Sequence, residues 1–140
     1  MSIPSISHYM TNTPRTIDRY ATLAEAHRVM REQHIRHLPV VTGGKLVGIV
    51  TQRDLYLLET IAELDLDGID VEEAMTEAPY IVTGDTALDE VLDIMTEKKY
   101  GSCIVVGREG IEGIFTTTDA CRVLSSVLQR ASLLDLGSAT

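Results

Sequence analysis

The chain has 140 residues, of which 44% are apolar, and its formal net charge is −9. This negative charge argues against nucleic acid as the main partner, because neutralising phosphates requires clustered Lys and Arg. No apolar run approaches the roughly 20 residues that cross a bilayer, and the first residues lack the basic and apolar regions of a secretion signal. We therefore expect no nucleic-acid partner and no membrane insertion.

Other familiar chemistry is also missing from the sequence. The two cysteines, Cys103 and Cys121, form neither a CxxC pair nor a disulfide framework, so both are expected to be reduced, which favours a cytoplasmic setting. The histidines form no HxH or HExxH motif, and neither a P-loop nor a nucleophile elbow is present. We expect no metal site, no required cofactor and no enzymatic activity.

The segment 10–54 recurs as the segment 75–119, at a constant offset of 65 residues, with 13 identities in 45 aligned positions. The repeated residues include the last part of each copy, where a Gly-apolar-apolar-Thr-x-x-Asp pattern ends in Asp54 and in Asp119. The period is too long for a solenoid, and two copies are too few for an array. The repeat therefore predicts a pseudo-symmetric pair of halves that bury a shared face.

In the first copy, residues 16–17 predict a short strand, and Thr22 with Glu25 predicts a capping box at the start of an amphipathic helix. Two apolar runs flank the range 42–45, whose paired glycines predict a hairpin turn. A second helix is expected to begin at Thr51. The predicted order of elements is β-α-β-β-α.

The second copy repeats this order, with a strand at 81–82, a helix from about Thr86, strands at 103–106 and 111–115, and a longer last helix from about Thr116. The fold class predicted is α+β, with two repeats related by a pseudo-twofold axis. The last helix carries apolar residues that are expected to form an exposed stripe.

The expected domain boundaries follow from this repeat. Repeat 1 covers 8–66 and repeat 2 covers 73–131, an acidic linker spans 65–73, and a C-terminal tail spans 132–140. The linker is expected to lie in solvent because it is rich in Asp and Glu.

The Thr-x-x-Asp patterns are the first candidate binding elements. At a junction between strand and helix, the first helical amides are unpaired and attract anions. Thr51 can cap the helix, while Asp54 can accept two hydrogen bonds from a vicinal diol such as a ribose. The same pattern is also an ordinary helix cap that needs no ligand. Both interpretations apply equally to Thr116 and Asp119.

Arg36 and His37 are the second candidate element, because they stand beside a strand that is otherwise apolar. Arg offers a planar fork of donors and His can carry charge near neutral pH, so the pair could contact a phosphate. The alternative is a solvated strand end. At the equivalent positions the second copy has Gly101 and Ser102, so two unequal sites are expected. Either the nearby Lys98 and Lys99 supply charge there, or Arg36 and His37 reach across, or the ligand is less anionic.

The ordered set of motifs resembles a tandem pair of cystathionine-beta-synthase (CBS) domains, also called a Bateman module. The features that carry the resemblance are Met-Thr near the start of each copy, a Pro before a short strand, the Arg-His-Leu-Pro-Val-Val segment and the two Thr-x-x-Asp endings. The resemblance implies a regulatory module that binds an adenosine compound, with Asp54 and Asp119 on the ribose. It also implies a purine site walled by the short first strand and the start of the second strand.

The candidate binding residues are Thr16, Ile17, Arg36, His37, Leu38, Pro39, Thr51, Arg53 and Asp54 in the first repeat, and Val82, Thr83, Tyr100, Gly101, Ser102, Cys103, Ile104, Thr116, Thr118 and Asp119 in the second. The expected ligand is AMP, ADP, ATP, S-adenosylmethionine or NAD, acting as an effector. The resemblance further implies a homodimer, and a separate effector protein is expected as a partner. Two rivals are a ligand-free dimerisation or protein-interaction module and, less favoured, an enzyme acting on a nucleotide.

Overall fold

The computed structural model describes residues 2–12, 14–62 and 66–138. Its helices are α1 (Leu23–Gln33), α2 (Gln52–Ala62), α3 (Leu88–Lys98) and α4 (Thr117–Ser138). Its strands are β1 (Thr11–Asn12), β2 (Ile17–Asp18), β3 (His37–Thr42), β4 (Lys45–Thr51), β5 (Ile81–Thr83), β6 (Ser102–Gly107) and β7 (Gly110–Thr116). Each half thus contains the order β-α-β-β-α, and the predicted α+β fold with two repeats is confirmed.

The strands form two sheets, one for each half. The first sheet has the order β2-β3-β4, and the second has the order β1-β7-β6-β5. In both sheets the short strand pairs in parallel with the first hairpin strand, and the hairpin strands pair antiparallel. Gly43 and Gly44 take positive φ angles of 55° and 81° at the first hairpin turn, where a side chain would be strained.

The segment that enters each repeat pairs with the sheet of the other half. Strand β1 lies against β7, with Thr11 opposite Ile114. The equivalent Thr76 forms an isolated bridge with Ile49 of β4. Because the backbone of each half completes the other sheet, we expect the two halves to fold as one cooperative unit.

The apolar faces of α1 and α3 close two separate cores. Helix α1 buries Leu23, Ala26 and Met30 against the first sheet, and Thr22 Oγ1 caps it by accepting from the amide of Glu25 at 3.1 Å. Helix α3 buries Leu88, Val91 and Met95 in the second core. A third, smaller cluster joins the sheets to each other through Ile49, Ile104 and Ile114.

The connector between the halves is less solvated than its composition indicates. Within its described part, Ile69 and Val71 are buried in the first core, and the amide of Val71 donates to the carbonyl of Ala21 at 2.7 Å. Arg19 and Glu72 form an ion pair at 2.7 Å. Apolar residues between the acidic ones therefore anchor the linker, whereas Asp65 lies outside the described residues.

The range 132–138, predicted as a tail, continues helix α4. The exposed apolar stripe expected on this helix is present: Leu124, Val127 and Leu128 have exposed fractions of 58%, 53% and 58%. The stripe was expected to extend to Leu136, whose side chain lies outside the described part of the helix.

Candidate functional site

A cavity of about 530 Å³ lies where the two halves meet, at the end of β7 and the start of α4. We call it the Asp119 cavity. Its walls come from the entering segment, the end of α1, the start of β3, the end of β7 and the first turns of α4. The lining residues are Thr11, Pro14, Arg15, Gln33, His34, Ile35, Arg36, His37, Ile114, Thr116, Thr117, Thr118, Asp119 and Arg122.

Asp119 is the acidic residue of this cavity, and one of its oxygens serves as a helix cap. Asp119 Oδ2 accepts from the amide of Thr116 at 2.9 Å and from Thr116 Oγ1 at 3.3 Å. In return, the amide of Asp119 donates to Thr116 Oγ1 at 3.5 Å. The cap interpretation of the Thr-x-x-Asp pattern is thus correct for this oxygen.

The other carboxylate oxygen of Asp119 faces groups that line the cavity. Asp119 Oδ1 accepts from Thr11 Oγ1 at 3.3 Å and from Arg122 Nη1 at 2.9 Å. The Asp119 side chain is 6% exposed, whereas that of Arg122 is 71% exposed. A nearly buried carboxylate is therefore paired with a cation whose side chain is largely exposed.

Asp54 forms the same cap in the first half. The amide of Thr51 donates to Asp54 Oδ2 at 2.9 Å, and the amide of Asp54 donates to Thr51 Oγ1 at 3.1 Å. Asp54 does not line the Asp119 cavity. The two aspartates therefore share a structural role, but only Asp119 also faces the cavity.

The expectation that the first helical amides would be free is wrong for several of them. The amide of Gln52 donates to the carbonyl of Arg36 at 2.9 Å, and that of Thr117 donates to the carbonyl of Gly101 at 3.2 Å. The segment before each hairpin thus satisfies the helix start of its own half. These paired amides are not available to bind an anion.

The structure brings five of the predicted residues together in the cavity: Arg36, His37, Thr116, Thr118 and Asp119. Arg36 and His37 belong to the first half, while the other three belong to the second. The sequence left open how the second site obtains its positive charge. The geometry matches the alternative in which Arg36 and His37 reach across to the second Thr-x-x-Asp element.

The remaining predicted residues do not line this cavity. Ile17, Leu38, Pro39, Cys103 and Ile104 are buried, so their side chains have little access to solvent. Burial raises the pKa of the Cys103 thiol to about 12, which leaves it protonated and unreactive.

The other predicted residues lie elsewhere in the two halves. Tyr100 stacks against Tyr80, with ring centroids 5.4 Å apart. The others outside the Asp119 cavity are Thr16, Thr51, Arg53, Asp54, Val82, Thr83, Gly101 and Ser102. Their role as ligand contacts stays a prediction.

Two parts of the chain, residues 6–58 and 71–126, match the family model of the CBS domain. The chain belongs to the CBS domain family. It is similar to inosine-5'-monophosphate dehydrogenase from Korarchaeum cryptofilum, with 37% identity over 105 residues, covering 74% of this chain and 21% of that protein. It is also similar to protein MJ1232 of Methanocaldococcus jannaschii, with 33% identity over 113 residues, covering 79% of this chain and 36% of that protein. The chain thus spans about a fifth of the length of the first relative and about a third of the length of the second.

A solved CBS domain pair has the same architecture. This is the pair of protein MJ0100, in complex with 5'-methylthioadenosine and S-adenosyl-L-methionine, which superposes with a TM-score of 0.81. The sequence identity is 26%, and the match covers 89% of this chain and 98% of that chain. In the part of our CBS pair that the structure describes, each helix is too short or too polar to span a membrane.

Sequence reasoning missed several residues of the cavity in the CBS pair. These are Thr11, Pro14, Arg15, Gln33, His34, Ile35, Ile114, Thr117 and Arg122. Thr11 and Pro14 carried a signal, since both recur in the second copy. Arg122 carried another, because it stands three residues after Asp119 on a predicted helix, the spacing of a neighbouring pair. Arg15 and His34 became visible only through the fold.

The electrostatics of the cavity are dominated by cations. Arg15, Arg36 and Arg122 line it together with two histidines, and Asp119 is the acidic residue among the described residues of its lining. Burial, with the charge of Arg36 as a smaller cause, lowers the pKa of His37 below its usual 6.5, although Asp54 opposes the shift. His37 is therefore mainly neutral at pH 7 in the free protein.

We expect acidification to destabilise the free protein partly through His37. Because its pKa is lower in the folded state, the unfolded state binds more protons below pH 6.5, and the free energy of unfolding falls as pH drops through that value. Urea unfolding at pH 7.5 and 5.5 should show a smaller loss for His37→Gln than for the wild type. Equal losses in the two proteins would contradict the shifted pKa.

Proposed function

We propose that this protein is a regulatory module that binds an adenosyl ligand in the Asp119 cavity and signals through a change in conformation or assembly. The candidate ligands are AMP, ADP, ATP, S-adenosylmethionine and NAD. The observation that carries the proposal is a nearly buried carboxylate that faces a cavity of about 530 Å³ whose cationic side chains come from both halves.

The chemistry of the cavity fits a ribose with charged substituents. Asp119 Oδ1 accepts from a neutral hydroxyl and from an exposed guanidinium, so a vicinal diol could take over this oxygen while Oδ2 keeps the cap. The residues Arg15, Arg36 and His37 then lie in the same cavity to meet an anionic group. A binding volume of this size is ordinary for small ligands.

The family supports the adenosyl class. The similar CBS pair of MJ0100 contains two ligands, 5'-methylthioadenosine and S-adenosyl-L-methionine, and each has an adenosyl group. We propose that our pair has two unequal clefts, whose cations stand at different positions. The cleft of Asp54 lacks cations at the positions that correspond to Arg36 and His37, which are occupied by Gly101 and Ser102.

The cavity also offers a route to an output. A ligand there would bridge Arg36 in the first half and Asp119 in the second. Helix α4 starts in the cavity and leads to the exposed Leu124, Val127 and Leu128. We propose that this stripe mediates a homodimer and that a separate effector protein responds to it. The ligand can shift the assembly only through different affinities for its two states.

A thermal-shift panel tests the proposal. The protein is first unfolded and refolded to release any ligand carried over from the host, and is then heated with each candidate ligand in turn. At 100 times its Kd, a ligand stabilises the folded state by about 2.7 kcal/mol. For a domain of this size the melting temperature should rise by roughly 5–10 °C. A panel without any shift would contradict the proposal.

A ligand-free interaction module is the second candidate, because the stripe on α4 is exposed in this chain. Sedimentation velocity of the wild type and of Leu128→Asp, each with and without the panel ligands, distinguishes the two functions. A dimer that Leu128→Asp dissociates, with no response to any ligand, supports the interaction module. A dimer whose dissociation constant changes with a panel ligand supports the sensor.

A further inference from the structure

We infer that the Asp119 cavity selects adenosyl ligands that carry a phosphate, and that Arg122 is the residue that imposes this selection. The inference rests on the proposed function, since it concerns the same cavity. It concerns the charge of the ligand, which membership of the CBS family leaves open.

The two oxygens of the Asp119 carboxylate have different roles. Oδ2 is held by the cap of Thr116, so Oδ1 is the oxygen available to a ligand. In the free protein this oxygen is covered by Arg122 Nη1 at 2.9 Å. A ribose that binds Asp119 must therefore displace or share the guanidinium.

A ligand that displaces the guanidinium of Arg122 from Asp119 leaves it without its anionic partner. Arg122 is anchored on α4, and it lines the cavity together with Arg15 and Arg36. A displaced Arg122 thus remains beside the ligand, and a phosphate provides it with a new anionic partner in a bidentate geometry. A neutral ligand such as adenosine breaks the ion pair with Asp119 and gives nothing in return.

The two halves of the molecule carry their cations at different positions. At the offset of 65 residues, Arg122 corresponds to Leu57 on α2, and Arg15 and Arg36 correspond to Tyr80 and Gly101. In the opposite sense, the cavity residues Gln33, His34 and Thr118 correspond to Lys98, Lys99 and Arg53. Both halves keep the aspartate and its threonine cap. An arginine three residues after the aspartate is therefore a feature of the second half alone.

Positive charge exceeds negative charge among the described residues that line the cavity. Three arginines face the carboxylate of Asp119, which is already paired with one of them. S-adenosylmethionine brings a sulfonium cation close to the ribose, and this cation would meet like charges. AMP, by contrast, places its phosphate at the same carbon of the ribose. The cavity should therefore favour AMP over ligands with a neutral or cationic group there.

The test is isothermal titration of the full chain with AMP, adenosine, 5'-methylthioadenosine and S-adenosylmethionine at one pH and ionic strength. We expect the wild type to bind AMP at least about tenfold more tightly than adenosine. Arg122→Leu copies the residue of the other half, and it should lower the ratio of AMP to adenosine affinity about tenfold. Arg122→Lys, which keeps the charge, should restore part of this ratio.

Arg130→Leu is the matched control, because it removes an exposed arginine from the same helix at a position that does not line the cavity. Its affinity ratio should equal that of the wild type. An equal loss of AMP and adenosine affinity in Arg122→Leu would reveal a merely structural role and overturn the inference.

The inference and the proposed function fail in different ways. If the wild type binds 5'-methylthioadenosine or S-adenosylmethionine as tightly as AMP, the selection for phosphate is refuted while the adenosyl sensor stands. If none of the four ligands binds to the refolded protein, the proposed function fails and the inference fails with it.

Discussion

Asp119→Asn is expected to weaken AMP binding by roughly 10- to 100-fold, because a charged acceptor contributes more to each hydrogen bond with the ribose than a neutral amide does. The carboxylate is nearly buried, so water screens it poorly. Asparagine keeps an oxygen that can accept from the amide of Thr116, and the cap should persist. Titration calorimetry of the refolded variant measures the effect.

Asp54→Asn is the matched control, because Asp54 forms the same cap but does not line the cavity. As judged by urea unfolding, Asp54→Asn should lose about 1 kcal/mol of stability or less. Asp119→Asn should lose somewhat more, because its carboxylate also accepts from Thr11 and Arg122. Only Asp119→Asn should lose AMP affinity at the tighter site. If both variants lose stability and neither loses affinity, the Thr-x-x-Asp elements are caps alone and the proposed site is wrong.

The sequence predicted the fold well because its signals are local or repeated. The Gly43-Gly44 turn, the Thr22 cap and the constant offset each depend on residues close in the chain or on the comparison of two copies. These features set the order of elements within each half. They do not indicate which of the two sheets a given segment pairs with.

For that reason the sequence did not predict that the segment entering each repeat pairs with the sheet of the other half. Thr11 belongs by sequence to the first copy, yet it pairs with Ile114 and contacts Asp119 in the second half. The pairing depends on backbone edges that meet only after both sheets exist. Sequence reasoning accordingly placed Arg36 and His37 in a separate first site, with a reach across as one alternative.

The sequence predicted only part of the candidate site, for a related reason. Asp119 and Arg36 stand in recognisable motifs, whereas Arg15 stands in none and Arg122 is marked only by its spacing of three residues from Asp119. Their importance comes from position, since both line one cavity with a buried carboxylate. Conversely, Leu38 and Cys103 followed from the family resemblance, but their side chains are fully buried in the two cores.

Gly48→Ala is expected to lower the free energy of unfolding by about 1–3 kcal/mol, the usual effect of overpacking. A Cβ atom at Gly48 would lie 2.6 Å from the carbonyl oxygen of Thr76 and 2.8 Å from Met75 Sδ. The backbone of Thr76 cannot easily withdraw, because its amide and carbonyl both pair with Ile49, at 2.8 and 3.0 Å. Urea unfolding measures the loss, which should be larger for Gly48→Val.

Gly68→Ala controls for the general effect of replacing glycine, since a Cβ atom there meets nothing within 4 Å. Its stability should stay within about 0.5 kcal/mol of the wild type. Gly113→Ala should behave like Gly48→Ala, because its Cβ atom would lie 2.8 Å from the carbonyl oxygen of Thr11. If the three alanine variants proved equally stable, the entering segments could not lie against the opposite sheets, and the cavity that they help to form would lose one wall.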